Sequence, residues 1–495
     1  MKNLYKKIIA VLLPLFAAGC HDLDQTPFNS METGQSFETI SDADYWANGM
    51  YLRMRNRTYG QFMYATDIQG DLLNATIEFG NTGGDLHRWD PMQTTQGSAA
   101  TVWSGFYKSI ANINIALSGL KTIVPQDDAE KERLNQRLGE LHLGRAYAYS
   151  RLVLRFSKPY NKATATTDLG MPLVYAFDIN EYPKRSTMEE TYTQILSDIT
   201  EAEALLKNKA GSAGASTFTI DAVTALKART YLYMQNWDEA YKAANTLIAS
   251  GTYPLAASQA ELKDIWHVDN TKESIMMLFA SAPDELGTAN TIYLAYRPAN
   301  GYFYPQYIPT QWIMDQYDNA DYRKSVYFEE KRLAMQGRAY RGYVVNKYPG
   351  NPALFTTANT NYQHFPKVFR IAEMYLIAAE AAYHSGDDAL TPLNALRTAR
   401  GTASVSATGT ALLEEIKNER MREMAFEGSR LDDLKRWGDN ITRRTPQLMT
   451  IIMSNPANQF HELDRPATAH QTVWPVPYYE ININPNIAPQ QNEGW

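Results

Sequence analysis

The stretch from Phe369 to Trp437 constrains the fold most, because its apolar residues repeat with the period of an α-helix. Four apolar residues are spaced three, four and three positions apart, namely Ile371, Met374, Ala378 and Ala381. This spacing places them on one face of a helix that Gly386 can end. A second helix is predicted to begin near Asp388, with Pro392 tolerated in its first turn. The stretch therefore predicts a helical hairpin, with a third helix following it.

The third helix is predicted within EEIKNERMREMAFEGSRLDDLKRW and is unusually rich in charge. Its charged residues include Glu419, Arg420, Arg422, Glu423, Glu427, Arg430, Asp432 and Asp433. Glu423 and Glu427 are four positions apart, which puts both on one face of a continuous helix. Catalytic carboxylate pairs instead flank a glycosidic bond from opposite sides. Because arginines are interleaved with these carboxylates, we expect structural ion pairs, no catalytic residues and no enzymatic activity.

Helical periodicity also extends over the middle of the chain. Between Asp127 and Tyr160, residues step by three, four, three and four positions, namely Leu138, Leu141, Arg145, Ala148 and Leu152. A partner helix is predicted in STMEETYTQILSDITEAEALL, where the residues from Ser186 to Glu189 form a capping box. A further pair is predicted at Ala222–Met234 and Trp237–Ala249.

Such hairpins, with Ala where helices approach closely, are typical of tetratricopeptide-type stacking. We therefore predict a mainly all-α fold, a tetratricopeptide-like helical-hairpin scaffold with helix pairs at about 127–250 and 369–437. The spacing between pairs is irregular, which predicts large irregular insertions at about 58–100 and 252–365. All of these segments are expected to belong to a single domain, 20–495.

Residues 1–19 have the composition of a cleaved signal peptide, with basic residues, a short apolar run and a small-residue cleavage site. Cys20, the only cysteine, follows directly. It resembles the acylated cysteine of a bacterial lipobox, although Ala17 stands where that pattern prefers Leu. We therefore predict lipidation at Cys20 and attachment to a membrane by acyl chains. A secreted protein with a chance thiol is the alternative.

Composition and motifs exclude several other classes of protein. The net charge of −7 argues against a nucleic-acid partner. The eight histidines are scattered and form no HExxH motif, so no metal site is expected. The sequence also lacks a GxSxG elbow, a P-loop and a GxGxxG motif, and we expect no cofactor.

The segment TIYLAYRPANGYFYPQYIP is predicted to be a loop with an aromatic surface. Tyr and Trp rings suit stacking on sugar rings or gripping of peptide side chains. We therefore select Tyr293, Tyr296, Tyr302 and Tyr304, together with Trp89 from the earlier insertion, as candidate ligand-binding residues. The alternative is that these rings pack the insertion onto the scaffold or face a protein partner.

Several segments resemble, in the same order, those of SusD/RagB-type outer-membrane lipoproteins of the Bacteroidetes. They include LDQTP after Cys20, LGRAYAYSRLV, AEMYLIAAEA, LNALRTAR, ERMREMAFEGSRLDDLKRW and the terminal WPVPYYEININPN. The resemblance covers nearly the whole chain after the leader. QWIMDQYDNADYRKSVYF and GYVVNKY are most similar to the RagB branch.

The resemblance implies four tetratricopeptide-like helix pairs with irregular insertions that contact the ligand. It also implies an outer-membrane lipoprotein, exposed at the cell exterior, that captures oligopeptides or oligosaccharides. Such proteins act as the lid of a SusC-like TonB-dependent β-barrel transporter and deliver the nutrient to it. Two alternatives from other classes remain, an exported polysaccharide or peptide hydrolase and a tetratricopeptide-type protein-interaction adaptor.

Overall fold

The structure is a computed structural model that describes residues 36–89, 97–178, 180–453, 461 and 463–495. It is 50% helix and 11% strand, which confirms the predicted mainly helical fold. The first helices are α1 (Ile40–Thr58), α2 (Gln61–Gln69), α3 (Gly84–Arg88), α4 (Ser98–Gly119), α5 (Asp128–Phe156), α6 (Met188–Leu206), α7 (Ile220–Tyr233) and α8 (Trp237–Ala249). The later ones are α9 (Gln259–His267), α10 (Gln311–Asp315), α11 (Tyr322–Tyr327), α12 (Ile371–Ser385), α13 (Leu390–Ala399), α14 (Gly409–Met424), α15 (Arg430–Trp437) and α16 (Tyr478–Ile483).

Short strands connect and cover the helices. They are β1 (Leu73–Ala75), β2 (Leu169–Pro172), β3 (Arg185–Thr187), β4 (Ser274–Met277), β5 (Tyr296–Arg297), β6 (Tyr302–Phe303), β7 (Tyr307–Pro309), β8 (Phe328–Met335), β9 (Arg338–Val345), β10 (Lys367–Arg370), β11 (Ile441–Thr442) and β12 (Asp464–Arg465). The largest sheet has the order β5-β6-β8-β9, and the antiparallel β8–β9 hairpin forms most of it. The pairs β1–β7, β2–β3, β4–β10 and β11–β12 are separate two-stranded ladders.

The antiparallel packing of neighbouring helices builds the scaffold. Helix α5 packs against α6, α7 against α8, and α12 against both α8 and α13. The apolar face predicted for α12 is buried in full. The capping box at the start of α6 lies one residue later than predicted. Its pair is Thr187 and Glu190, each of which accepts a backbone hydrogen bond from the other.

The predicted third helix is wrong as a continuous element, because the chain breaks between α14 and α15. Phe426 and Gly428 both have positive φ, at 64° and 72°. The buried Lys347 ammonium donates to the carbonyl oxygens of Glu423 and Ala425, at 3.3 and 2.9 Å. Since the last carbonyls of a helix need partners from outside it, Lys347 stabilises this early end. Glu423 and Glu427 therefore do not share a helix face.

The predicted insertions also contain more regular structure than their composition indicates. Helix α2 lies within 58–100, and its buried Met63 and Ile68 join the main core. The terminal segment, although rich in Pro and Asn, contains α16. The segment IMMLFAS overlaps β4, and GYVVNKY overlaps β9.

One large core connects the two ends of the chain. The Trp474 ring meets Phe156 of α5 edge to face, with ring centroids 5.8 Å apart. Its indole nitrogen donates to Gln69 Oε1 of α2 at 2.7 Å. Among the described helices, none is both long and apolar enough to cross a membrane. The predicted leader, 1–19, and Cys20 lie outside the described residues.

Candidate functional site

The charged residues after α13 form a buried network of ion pairs. Glu423 is fully buried and accepts from the guanidinium groups of Arg370 and Arg400, each at 2.9 Å. Arg323 approaches the same carboxylate at 3.2 Å and is itself buried. Arg400 also pairs with the buried Glu273 at 2.9 Å. The predicted structural ion pairs are present within the segment EEIKNERMREMAFEGSRLDDLKRW as Arg420–Asp433 and Arg422–Glu419, whereas Glu423 takes its arginine partners from outside it.

The electrostatics of this network favour permanent ionisation. Burial on its own raises the pKa of Glu423, but Arg400 and Arg370 together hold that pKa well below its usual value. Burial, Arg323 and Arg422 act in the same way on Glu419, whose pKa is lowered to about 2. A general acid must carry a proton near neutral pH, and these carboxylates do not. The network is therefore suited to holding β10, α13 and α14 together.

The aromatic insertion folds into the hairpin β5–β6, which joins the edge of the β8–β9 sheet. Tyr296 pairs with Phe303 across the hairpin, and their ring centroids are 4.8 Å apart. Phe303 in turn pairs with Leu333 of β8. The Tyr362 hydroxyl accepts a hydrogen bond from the Tyr296 backbone N–H. The hairpin is thus fixed to the sheet on one side and to a neighbouring loop on the other.

Two arginines hold the half-buried rings of Tyr302 and Tyr304. The Arg297 guanidinium carbon lies 3.7 Å from the Tyr304 ring centroid, and that of Arg332 lies 4.6 Å from the Tyr302 centroid. Arg332 also donates to the Tyr302 hydroxyl at 2.8 Å, and Asn300 donates to the Tyr304 hydroxyl at 2.8 Å. Cation–π contacts and hydrogen bonds of this kind restrict the rotation of both rings. The pair therefore presents pre-oriented phenol groups next to two positive charges.

Trp89 and Tyr293, also selected from the sequence, lie inside the protein. Trp89 is 5% exposed, packs among residues such as Leu431 and Leu463, and donates its indole N–H to the Gln69 carbonyl at 3.0 Å. Tyr293 is fully buried and packs against other aromatic rings. Neither ring offers a face to a ligand in this structure. For these two residues, packing of the insertion onto the scaffold is the better interpretation.

The sheet also borders an open cleft that the sequence did not indicate. The cleft has a volume of about 830 Å³ and lies between α10, α11 and the β8–β9 hairpin. Gln311, Tyr322, Glu329 and Tyr343 are among its lining residues. Amides, carboxylates and aromatic rings are the groups that hydrogen-bond and stack on polar oligomers. No local motif marks this cleft, because residues far apart in the sequence build it.

A larger groove of about 1390 Å³ lies elsewhere, at the carboxyl end of α5. Lys158, Tyr160, Trp237 and His470 are among its lining residues. Within the described ranges, no group of three or more His, Cys, Asp or Glu side chains is arranged to hold a metal ion.

Comparison with known proteins places this chain and its fold in one family. A family model described as the SusD family matches residues 332–495, and one described as starch-binding associating with outer membrane matches residues 23–232. SusD-like protein P38 of Formosa agariphila is 24% identical over 436 residues, which is 78% of each chain.

Solved structures agree with this over almost the full length. A SusD superfamily protein from Bacteroides thetaiotaomicron has a TM-score of 0.78 at 25% identity, covering 92% of this chain and 99% of that one. A structure described as a putative sugar binding protein, from Bacteroides vulgatus, has a TM-score of 0.76 at 25% identity, covering 93% and 99%. With matching models at both ends of the chain and a shared fold between them, the protein belongs to the SusD/RagB family.

Proposed function

We propose that this protein is a lipid-anchored, non-enzymatic binding protein of the outer membrane that captures oligosaccharides. It faces the cell exterior and delivers its ligand to a SusC-like TonB-dependent transporter, for which it acts as the lid. The observation that carries the proposal is the pair of arginine-held tyrosines, Tyr302 and Tyr304, on a hairpin fixed to a rigid helical scaffold. Half-buried phenol rings with restricted rotation bind sugar rings at a small loss of entropy.

The names of related proteins support a carbohydrate ligand. One similar structure is described as a putative sugar binding protein, and another as surface glycan-binding protein A from Bacteroides fluxus. The description of the model matching residues 23–232 supports association with the outer membrane. The resemblance of QWIMDQYDNADYRKSVYF to the RagB branch makes oligopeptides the competing ligand class.

The chemistry of the charged network supports the proposal that the protein is not an enzyme. Its carboxylates pair with arginines inside the scaffold, and Glu419 and Glu423 are fully buried. A substrate cannot reach them, and their lowered pKa values remove the proton that a general acid needs. We therefore expect purified protein to leave a bound oligosaccharide intact during long incubation, as followed by chromatography.

Calorimetry on the aromatic hairpin tests the ligand-binding site. The double variant Tyr302→Ala and Tyr304→Ala is expected to weaken oligosaccharide binding by about 10-fold or more, since each stacked ring contributes on the order of 1 kcal/mol. Tyr45→Ala is the matched control, because Tyr45 is a 68% exposed tyrosine on α1, outside the insertion. Equal affinities for the double variant and the wild type would exclude the hairpin as the binding surface.

Isolation from detergent-solubilised outer membrane tests the partner and the ligand class together. The expected result is co-purification of a large β-barrel with bound oligosaccharide, identified by mass spectrometry. Bound oligopeptides would instead assign the protein to peptide uptake. Recovery without any barrel, and protection from protease in intact cells, would favour an adaptor that faces the periplasm.

A further inference from the structure

One row of side chains crosses the exposed face of the four-stranded sheet. Arg297 of β5 lies opposite Tyr302 of β6 in the antiparallel register. Arg332 of β8 lies opposite Arg341 of β9. The parallel pairing of β6 with β8 brings Tyr302 and Arg332 side by side. Because directly opposed residues point to the same face of a sheet, three exposed arginines and one tyrosine form this row.

Two arginines of the row have no carboxylate of their own. Arg341 pairs with Glu330, and its Nε donates at 3.0 Å. Among the described residues, Arg297 and Arg332 form no ion pair, and each lies against a tyrosine ring instead. The row therefore carries an excess of positive charge on a chain whose formal net charge is −7. Since both guanidinium groups are exposed, water solvates them in the free protein and they remain accessible to an anionic ligand.

The tyrosine rings orient these two guanidinium groups. Arg297 lies over the ring of Tyr304, and Arg332 lies over the ring of Tyr302. Arg332 also uses one N–H group to donate to the Tyr302 hydroxyl at 2.8 Å. An arginine has five N–H donors in a planar fork, which fits the oxygens of a carboxylate or of a tetrahedral oxyanion. Because ring contacts restrict both side chains, less rotational freedom is lost when such an anion binds.

The cleft between α10, α11 and the β8–β9 hairpin has the opposite charge. Asp315, Glu329 and Glu330 line it, and Lys324 is the single basic residue among its described lining residues. An acidic group on a ligand is therefore attracted to the arginine row and repelled by the cleft. This contrast in charge selects both the sign of the ligand and the place where its charged groups bind.

We propose that the oligosaccharide captured by this protein is acidic and that Arg297 and Arg332 bind its carboxylate or sulfate groups. The inference rests on the proposed function, because it assigns the charge of the ligand at the same aromatic hairpin. The two arginines are two strand spacings apart, which is about 10 Å at the backbone. One oligomer lying across the row can therefore contact both guanidinium groups and the ring of Tyr302 between them.

The test begins with binding of the full purified protein to an array of neutral, uronate-bearing and sulfated oligosaccharides. Acidic oligosaccharides are expected to bind, and high salt should weaken their binding, since salt screens exposed charges. Calorimetry then compares the ligand with its uncharged form, the methyl ester of a uronate oligomer or the desulfated form of a sulfated one. Loss of the charge should lower the affinity by about 10-fold, since two exposed charge contacts each contribute a factor of up to about five. The two comparisons distinguish carboxylate from sulfate recognition.

Single variants locate the charged contacts. Arg297→Gln and Arg332→Gln should each lower the affinity for the acidic oligomer by about 5-fold, with a smaller loss for its uncharged form. Lys121→Gln is the matched control, because it removes the same charge from an exposed residue after α4, outside the sheet. This control should bind as tightly as the wild type.

The possible outcomes separate this inference from the proposed function. If neutral oligosaccharides bind as tightly as acidic ones, or if both arginine variants bind like the wild type, the acidic assignment is wrong and oligosaccharide capture stands. If no oligosaccharide binds, or only acidic oligopeptides do, the proposed capture of oligosaccharides fails together with the inference.

Discussion

At the scale of single residues, two buried carboxylates show how partners set opposite protonation states. Both Glu423 and Asp67 have no exposed surface. Arg400 and Arg370 keep Glu423 ionised. Among the described residues, Asp67 has only the Gly428 N–H as a direct hydrogen-bond partner, and burial raises its pKa to about 8. Equal burial therefore leaves one group charged and the other neutral at pH 7.

The raised pKa of Asp67 predicts a specific dependence of stability on pH. The folded state binds the proton more tightly than the unfolded state, so this group stabilises the fold at low pH. The stability is lost as pH rises from about 4 to about 8, at up to about 1.4 kcal/mol per pH unit. Asp67→Asn keeps a neutral acceptor and should remove that slope, so that the variant is more stable than the wild type at pH 9.

Urea unfolding at pH 5, 7 and 9 measures this difference directly. Comparing the variant with the wild type cancels the contributions of the other titrating groups. Parallel pH profiles would show that Asp67 has an ordinary pKa in the folded protein.

At the scale of elements, the break between α14 and α15 is the feature that the sequence predicted least well. Helical period and charge continue across it, and Phe426, which has positive φ, is not a residue type that marks a break. Distant groups impose the break. The Lys347 ammonium donates to the Ala425 carbonyl at the end of α14, so this carbonyl is not available to a continuing helix. Asp67 and Arg155 form hydrogen bonds with the backbone of Gly428. The local sequence pattern carries no information about these long-range contacts.

A substitution at Gly428 tests whether the fold requires this break. A Cβ added there would lie 2.5 Å from the Met63 carbonyl oxygen, and its φ is 72°. Gly428→Ala is therefore expected to destabilise the fold by about 3 kcal/mol or more, as measured by urea unfolding. Gly386→Ala is the matched control, since Gly386 ends α12 with φ of 80° and open space around it. The control should lose about 1 kcal/mol, from backbone strain alone. Equal losses would mean that the close approach to Met63 relaxes without cost.

At the scale of the whole molecule, the sequence predicted the scaffold better than the surfaces. Helices such as α5 and α12 have a clear helical period, and the residues of their predicted apolar stripes, such as Leu141, Leu152 and Met374, are buried, so local pattern was sufficient to predict these helices. No comparable sequence pattern predicts which rings of the aromatic insertion are buried. Tyr293 is buried and Tyr302 half-buried because of where Phe426 and Arg332 approach them in three dimensions. Tyrosine content alone cannot separate a packing ring from a binding ring.

Asn492 joins the terminal segment to the end of α5 and to strand β3. Its amide nitrogen donates to the carbonyls of Trp474 and Phe156, at 2.6 and 2.9 Å. Its oxygen accepts from the buried Arg185 at 2.7 Å. Asn492→Ala removes these three hydrogen bonds at once and should cost about 3 kcal/mol. Because the core is shared, the loss should lower a single unfolding transition instead of releasing the terminal segment alone.

Differential scanning calorimetry distinguishes these two behaviours. The wild type and Asn492→Ala should each show one transition, with that of the variant lower by a few degrees. Glu493→Ala, at the exposed neighbouring position, should leave it unchanged. A second, separate transition in the wild type would show that the chain folds as more than one unit. An unchanged main transition in Asn492→Ala, with new proteolysis near the carboxyl terminus, would show that the segment is attached to the scaffold without stabilising it.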